Sequence, residues 1–382
     1  MNGPGTPAAI DARPEAAASR YPARTMTRRG QLKPLGQQII VITGASSGIG
    51  LCTARMAAKR GARLVLNSRN EAALRQLADE INGQGGEAMY QAADVAEEAA
   101  LRVVADLAIA RFGGFDTWVN NAGVSIYGRM TDVPDADHRR LVDTNFWGVV
   151  NGSRIAVEHL RHRGGALINI GSTLSDRAIP GQGMYCASKH AVKGFTDALR
   201  MELEEAGAPI LVSLVKPAAI DTPYRHHAKN YLPEAPDNPP PVYAPEVVAE
   251  AILHCAAHSV REVFAGGGAK VMSTFGYFAP RLLDTFMEWT MFKLQQTGRP
   301  ARTHTEDALF HPQPKSGLHE RGGHPGHVLE SSLYTRASLH PMVTGASLLV
   351  ASLAAMALCW PRAPRTWRRQ MSSAWRIPTW LG

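Results

Sequence analysis

QQIIVITGASSGIG, residues 37–50, opens the organised part of the chain. Ile39–Ile42 is an unbroken apolar run of β-branched side chains, the composition of a strand buried on both faces. It runs into a turn that contains Gly44, Gly48 and Gly50, followed by GIGLCTARMAAKRGA, which reads as a helix closing at Gly61. Glycine lets the backbone turn tightly and lets another group approach it closely. A helix N-terminus entered this way offers free amides and the positive end of the helix dipole to a pyrophosphate. Ser46, Ser47 and Ile49 sit in the same turn and join the three glycines as candidate contacts.

The pattern repeats outward from this unit. RLVLNSR (63–69), EAMYQAADV (87–95), FDTWVNNAG (115–123), GALINIGS (165–172) and ILVSLVKP (210–217) read as strands. Helical periods occupy 71–83, 97–112, 137–163 and 182–206 between them. Strict strand–helix alternation with short apolar strands requires right-handed crossovers. The expected fold is therefore α/β, a Rossmann-type doubly wound parallel sheet with helices on both faces.

Two further stretches carry chemistry. The second strand ends at Ser68 and Arg69 with no carboxylate. An acid there would accept from the 2′-hydroxyl of an adenosine ribose, whereas a guanidinium suits a 2′-phosphate. Farther on, STLSDRAIPGQGMYCASKHA (172–191) places Tyr185 and Lys189 one helical turn apart, with Ser172 thirteen residues before the tyrosine. Side chains at i and i+4 share a helix face. An ammonium held beside a phenol favours the phenolate, so Lys189 is expected to lower the pKa of Tyr185 and make it an acid–base group near neutral pH.

With these motifs in order, the chain resembles a short-chain dehydrogenase/reductase of the compact, single-domain branch. The matches are TGASSGIG, Asp94-Val95, NNAG (120–123), Asn145 in TNFWG, Ser172, YCASK (185–189) and KPAAIDT (216–222), spread over residues 37–265. The resemblance implies an oxidoreductase that interconverts a carbonyl and an alcohol by hydride transfer. NADP(H) is favoured over NAD(H) through Arg69, and a catalytically silent membrane-bound binding protein is the rival of another class. It implies that Asp94 and Val95 hold an adenine and that Asn121, Ala122 and Gly123 line the cofactor cleft. Pro217, Ile220 and Thr222 would cradle the nicotinamide. Tyr185 is then the proton donor or acceptor, and Ser172 polarises the carbonyl. Lys189 tunes Tyr185 and holds a ribose, and Asn145 bends its helix. Ala218 departs from the family pattern, which has glycine there.

Composition bounds the rest. The 382 residues carry a net charge of +8. Residues 1–36 hold six Lys/Arg against two acids, and residues 361–382 hold five arginines and no acid, so the body between them is close to neutral. Basicity confined to the tails argues against a nucleic-acid groove. Cys52, Cys186, Cys255 and Cys359 form no Cys-x-x-Cys pair, and the 14 histidines show no paired metal-ligand motif. No metal is expected, and the cysteine usage fits a reducing compartment. The expected organisation is a disordered basic tail (1–36), the catalytic domain (37–300), a polar linker (301–340), an apolar helix (341–360) and a basic tail (361–382). The helix 341–360 is uncharged over twenty residues and is a candidate membrane segment that would keep the enzyme on the cytoplasmic side. The partners expected are a small carbonyl or alcohol substrate, with the aromatic and Met-rich segment 271–294 indicating an apolar one, and further copies of the chain in a homo-oligomer.

Overall fold

The computed structural model describes residues 32–301, 307–313 and 317–359. Residues 1–31 of the first basic tail and all of the second, 361–382, lie outside these residues. Strand β1 (Ile39–Thr43) is buried throughout and pairs in parallel with β2 (Arg63–Ser68) on one side and β4 (Thr117–Asn120) on the other. Strand β3 (Glu87–Ala92) extends the sheet past β2. On the other flank lie β5 (Gly165–Ile170), β6 (Ile210–Pro217) and β7 (Glu262–Ala265), all parallel. The order is β7-β6-β5-β4-β1-β2-β3. Chain direction across the sheet reverses between β1 and β4, and open α/β sheets bind ligands beyond the carboxyl ends of their strands at such a point.

Crossover helices cover both faces. They are α1 (Gly48–Lys59), α2 (Glu71–Gly83), α3 (Glu98–Phe112), α4 (Asp135–Val142), α5 (Gly148–Leu160), α6 (Gly183–Glu205) and α7 (Pro245–Ala257). One apolar cluster joins Val41, Val65, Val104, Trp118, Ile155 and Leu167 beneath α3 and α5. Gly152 lets α5 approach the sheet, since a Cβ there would lie 2.1 Å from Asn120 Oδ1.

The long helix expected over 137–163 is interrupted. Residues Asp143–Trp147 form a single π-turn between α4 and α5. Asn145, at its centre, spends its amide on the neighbouring loop: Oδ1 accepts from Val124 N at 2.8 Å and Nδ2 donates to Val124 O at 2.9 Å. Helical π-turns of this kind cluster at functional sites.

Beyond β6 the sequence pattern loosens, but the chain does not. The aromatic segment forms two helices, α8 (Gly267–Phe278) and α9 (Pro280–Leu294). The expectation of a polar linker over 301–340 is corrected. Its described residues form a strap across the carboxyl end of the sheet, with Leu309 buried against Val124, Ile126, Val133 and Leu141. Its polar composition was misleading because the strap is held mostly through backbone carbonyls, which side-chain composition does not reveal. The apolar run 341–360 forms α10 (Pro341–Cys359). Among the described residues no helix is long and apolar enough to cross a membrane, so a bilayer-spanning form of the anchor is not supported. The chain divides into two compact units at Thr335/Arg336.

Candidate active site

A cavity of about 670 Å³ lies beyond the carboxyl ends of the strands. Its lining includes Gly44, Ser46, Ser47, Gly48 and Ile49 from the turn after β1. Gly44 and Gly48 take φ of 68° and 53°, the left-handed region that favours glycine. Gly50 does not line the cavity. It packs on the turn, where a Cβ would sit 2.2 Å from Gly44 O. Asn121 fixes the turn from across the switch point, donating to Thr43 O at 2.9 Å and Gly44 O at 3.2 Å. Ala122 and Gly123 complete this wall. The turn keeps the close backbone access that a dinucleotide requires.

At the end of β2, Ser68 and Arg69 also line the cavity, as do Asp94 and Val95 after β3. Arg69 is already engaged: it donates to the carbonyls of Ala308, Leu309 and Phe310 in the strap. Burial lowers its pKa from 12.5, which Asp94, 4.0 Å away, partly offsets. Asp94 accepts from Arg140 and from Ala96 N. The strap also reaches the glycine turn, because Gly48 N donates to His319 O at 2.9 Å. Neither contact was foreseen, since composition says nothing of which carbonyls a loop will present.

Pro217, Ile220 and Thr222 line the opposite wall. The methyl of Ala218 is accommodated by Gly266, whose φ is 112° and where a Cβ would lie 2.7 Å from Ala218 Cβ.

Ser172, Tyr185 and Lys189 converge on the cavity floor. Ser172 stands at the end of β5 and starts a short 3₁₀ turn, its Oγ accepting from Leu174 N at 3.0 Å. Lys189 is buried, its Nζ 2.8 Å from Ile170 O and 5.8 Å from the Tyr185 ring centroid. Burial pulls the lysine down to about 8. The expected depression of Tyr185 is corrected. Burial raises its phenol above 10, and hydrogen bonds involving Tyr224 and Ser172 only moderate that rise. Desolvation of the phenolate is the largest effect, and the Lys189 ammonium donates to the Ile170 carbonyl. Asn145 is buried behind this floor rather than in it and donates to Ser188 Oγ at 3.2 Å.

Some neighbours were missed by the sequence reading. Tyr224 packs edge-on against Tyr185 with ring centroids 5.9 Å apart, and Ser125 and Gln182 line the same floor. No spacing rule links them to Tyr185, because they arrive from three separate segments.

This geometry agrees with comparison to known proteins. Residues 38–231 match the short chain dehydrogenase family. The chain belongs to that family. It is 47% identical to the uncharacterized oxidoreductase YxnA of Bacillus subtilis over 330 residues, 86% of this chain and 92% of that protein. The likeness to that oxidoreductase therefore extends past residues 38–231. A crystal structure of a short chain dehydrogenase/reductase from Burkholderia phymatum in complex with NAD superposes with a TM-score of 0.60 at 26% identity, covering 66% of this chain and 97% of that one. An alcohol dehydrogenase from Thermococcus sibiricus complexed with 5-hydroxy-NADP gives 0.53 at 26% identity, covering 59% and 95%. The protein is thus an oxidoreductase of the short-chain dehydrogenase type, in a family whose members bind nicotinamide dinucleotides.

The fold also gathers Cys52, Glu246 and Glu320, whose potential ligand atoms lie within 4.8 Å of one another. Arg321 is shared between Glu246 and Glu330, and Arg55 between Glu320 and Glu80.

Proposed function

We propose that the protein is an NADP(H)-dependent oxidoreductase that interconverts a carbonyl and an alcohol on an apolar substrate. The observation that carries the reading is the convergence of Ser172, Tyr185 and Lys189 beside a cavity that also contains the glycine turn. The nicotinamide, when bound, supplies or accepts the hydride. In reduction, Tyr185 Oη gives its proton to the substrate oxygen, and Ser172 Oγ donates a hydrogen bond to the same oxygen as negative charge develops there. Lys189 holds a ribose and replenishes the proton through the site. Asn145 positions the loop at Val124 and the helix that carries Lys189. Asp94 and Val95 flank the adenine, Asn121–Gly123 wall the cleft, and Pro217, Ile220 and Thr222 orient the carboxamide. A phenol that keeps its proton near neutral pH is in the form that donates in reduction.

Preference for NADP(H) rests on Ser68–Arg69 in place of a carboxylate. A 2′-phosphate would offer Arg69 an opposite charge and bidentate geometry that the strap carbonyls lack. The engagement of Arg69 by the strap favours a second reading, in which Arg69 is a structural clasp and NAD(H) serves.

The apolar-substrate reading rests on Met272, Phe275, Leu283, Phe286, Met287 and Met291 in the cavity wall. A homo-oligomer and weak membrane association through 341–360 are proposed with it. The test is a panel of aliphatic, aromatic and steroid carbonyls, with NADPH consumption followed by absorbance, for wild type and Tyr185→Phe. Turnover that is lost in the variant while NADPH still binds supports the assignment. Activity close to wild type in the variant overturns it.

A further inference from the structure

Helix α9 is apolar on two faces. Its inner stripe, Leu283, Met287 and Met291, is buried against Ile179 and Cys186. Its outer stripe, Leu282, Phe286 and Trp289, is exposed at 68%, 54% and 78%. Helix α8 and its end add Val271, Phe275, Tyr277 and Phe278 to the same exposed set, the last two about four-fifths exposed. A helix in water shows one apolar stripe. A second one, built of large aromatic side chains, needs a second apolar medium.

Three residues join this face to the cavity. Val271, Phe275 and Phe286 line the cavity and are also exposed. The apolar lining therefore continues outward, through the α8–α9 hairpin, onto the exposed face. The hairpin is anchored from within: Ser273 Oγ donates to Asp176, which also accepts from Lys193 and the buried Lys216. Burial works against ionisation of Asp176, but these donors prevail and hold it at about 2.

The rim is cationic. Lys270, Arg281 and Lys293 are exposed around the face, and Arg281 lies 3.5 Å from Glu288. The other acid of the hairpin, Asp284, is paired with Arg177. A second copy of the chain seated by a two-fold axis would bring this cationic rim against itself. An anionic lipid surface matches it, and exposed Trp and Tyr are the side chains that settle at headgroup depth.

We propose that the α8–α9 hairpin docks on an anionic membrane surface and that the cavity mouth within it admits a lipid-dissolved substrate directly from that surface. The proposal rests on the reading of the cavity as a substrate site, and it differs from an anchor at 341–360 in placing the contact at the mouth itself.

The test uses the full-length protein and vesicles of phosphatidylcholine with and without phosphatidylglycerol. Phe278→Glu, Leu282→Glu and Trp289→Glu are combined in one variant. These side chains are exposed, so the fold is expected to persist, and NADPH binding checks it. Wild type should sediment with the anionic vesicles, and the variant's affinity should fall at least about tenfold. Each rim cation replaced by Gln should cost about fivefold on anionic vesicles only. Brominated phosphatidylcholine should quench wild-type fluorescence more than that of Trp289→Phe. That difference reports on this face and not on α10 or the basic tail. Equal sedimentation of variant and wild type, or equal quenching of wild type and Trp289→Phe, overturns the proposal. So does a wild-type dimer that the variant makes monomeric with no vesicle binding by either. Failure of every carbonyl substrate would sink the proposed activity while leaving vesicle binding intact, so the two readings fail separately.

Discussion

Lys189 offers a measurement that needs no substrate. An ordinary lysine titrates at 10.5, and burial brings this one to about 8. Between those values the unfolded chain holds more protons than the folded one, so stability rises with pH across the window. The penalty for the buried charge is fully present below about pH 8 and gone above about 10.5, worth about 3 kcal/mol in all. Below about pH 9 the Tyr185 phenol is protonated in both states and adds no slope. Melting temperatures of the cofactor-free protein from pH 7 to 10 should therefore fall less, or rise more, for wild type than for Lys189→Met. The comparison cancels the buried thiols of Cys52, Cys186 and Cys255, which push the other way above about pH 9. Parallel curves would show that Lys189 keeps its proton in the folded protein as an exposed lysine does. At the neighbouring wall, Ser68→Asp places a carboxylate beside Arg69 and should lower the NADPH/NADH preference by at least about tenfold, judged by kcat/KM. No change in that ratio would leave Arg69 as a strap clasp alone. Tyr185 and Lys189 were legible in the sequence because they sit on one helix. The pKa of the phenol was not, because it is set first by burial, which depends on segments that pack around it from elsewhere in the chain.

At the scale of elements, the glycine turn and the strap set the terms of cofactor entry. The turn was readable because Gly44, Gly48 and Gly50 are needed by backbone geometry that few other residues tolerate. The strap was not, since residues 307–313 and 317–324 bind through carbonyls to Arg69, Gly48 and Arg225. The π-turn at Asp143–Trp147 lay between these extremes: Asn145 marked the place, but a helix pattern does not show an added residue in one turn. A prediction follows from the shared donors. Cofactor that takes Arg69 and the Gly48 amide must displace Ala308–Phe310 and His319 from them. Hydrogen exchange of the amides in 307–313 and 319–324 should then speed up when NADPH is added, while those of β1 and β4 slow. Uniform protection of strap and sheet would mean that the strap closes on the cofactor rather than yielding to it.

For the molecule as a whole, the question is where the catalytic unit ends. The change to a polar, Gly/His/Pro-rich composition placed its end near residue 300, and no expected site residue lies beyond Thr222. The structure carries it to Thr335, where the chain divides. Leu309 fills a core pocket, Thr335 Oγ1 accepts from Gly266 N at 2.9 Å, and Asp221 receives the amides of Gly322 and His324. Arg225, itself buried, donates to Gly322 O and Gly323 O. Ending the chain at Pro300 removes a buried leucine, about 2–3 kcal/mol. It also strands several buried polar groups at about 1–3 kcal/mol each where water does not replace the partner. The sum is comparable to the whole stability of an ordinary domain, about 5–15 kcal/mol. Ending it at His340 removes α10 and the basic tail and touches none of these contacts. Truncation after Pro300 should therefore lower the melting temperature by at least about 5 °C or leave the protein insoluble. Truncation after His340 should shift it by less than about 2 °C and leave NADPH binding unchanged. Equal melting temperatures for the two truncations would mean that the strap lies on the surface without contributing to the fold, and the domain would end where the motifs do.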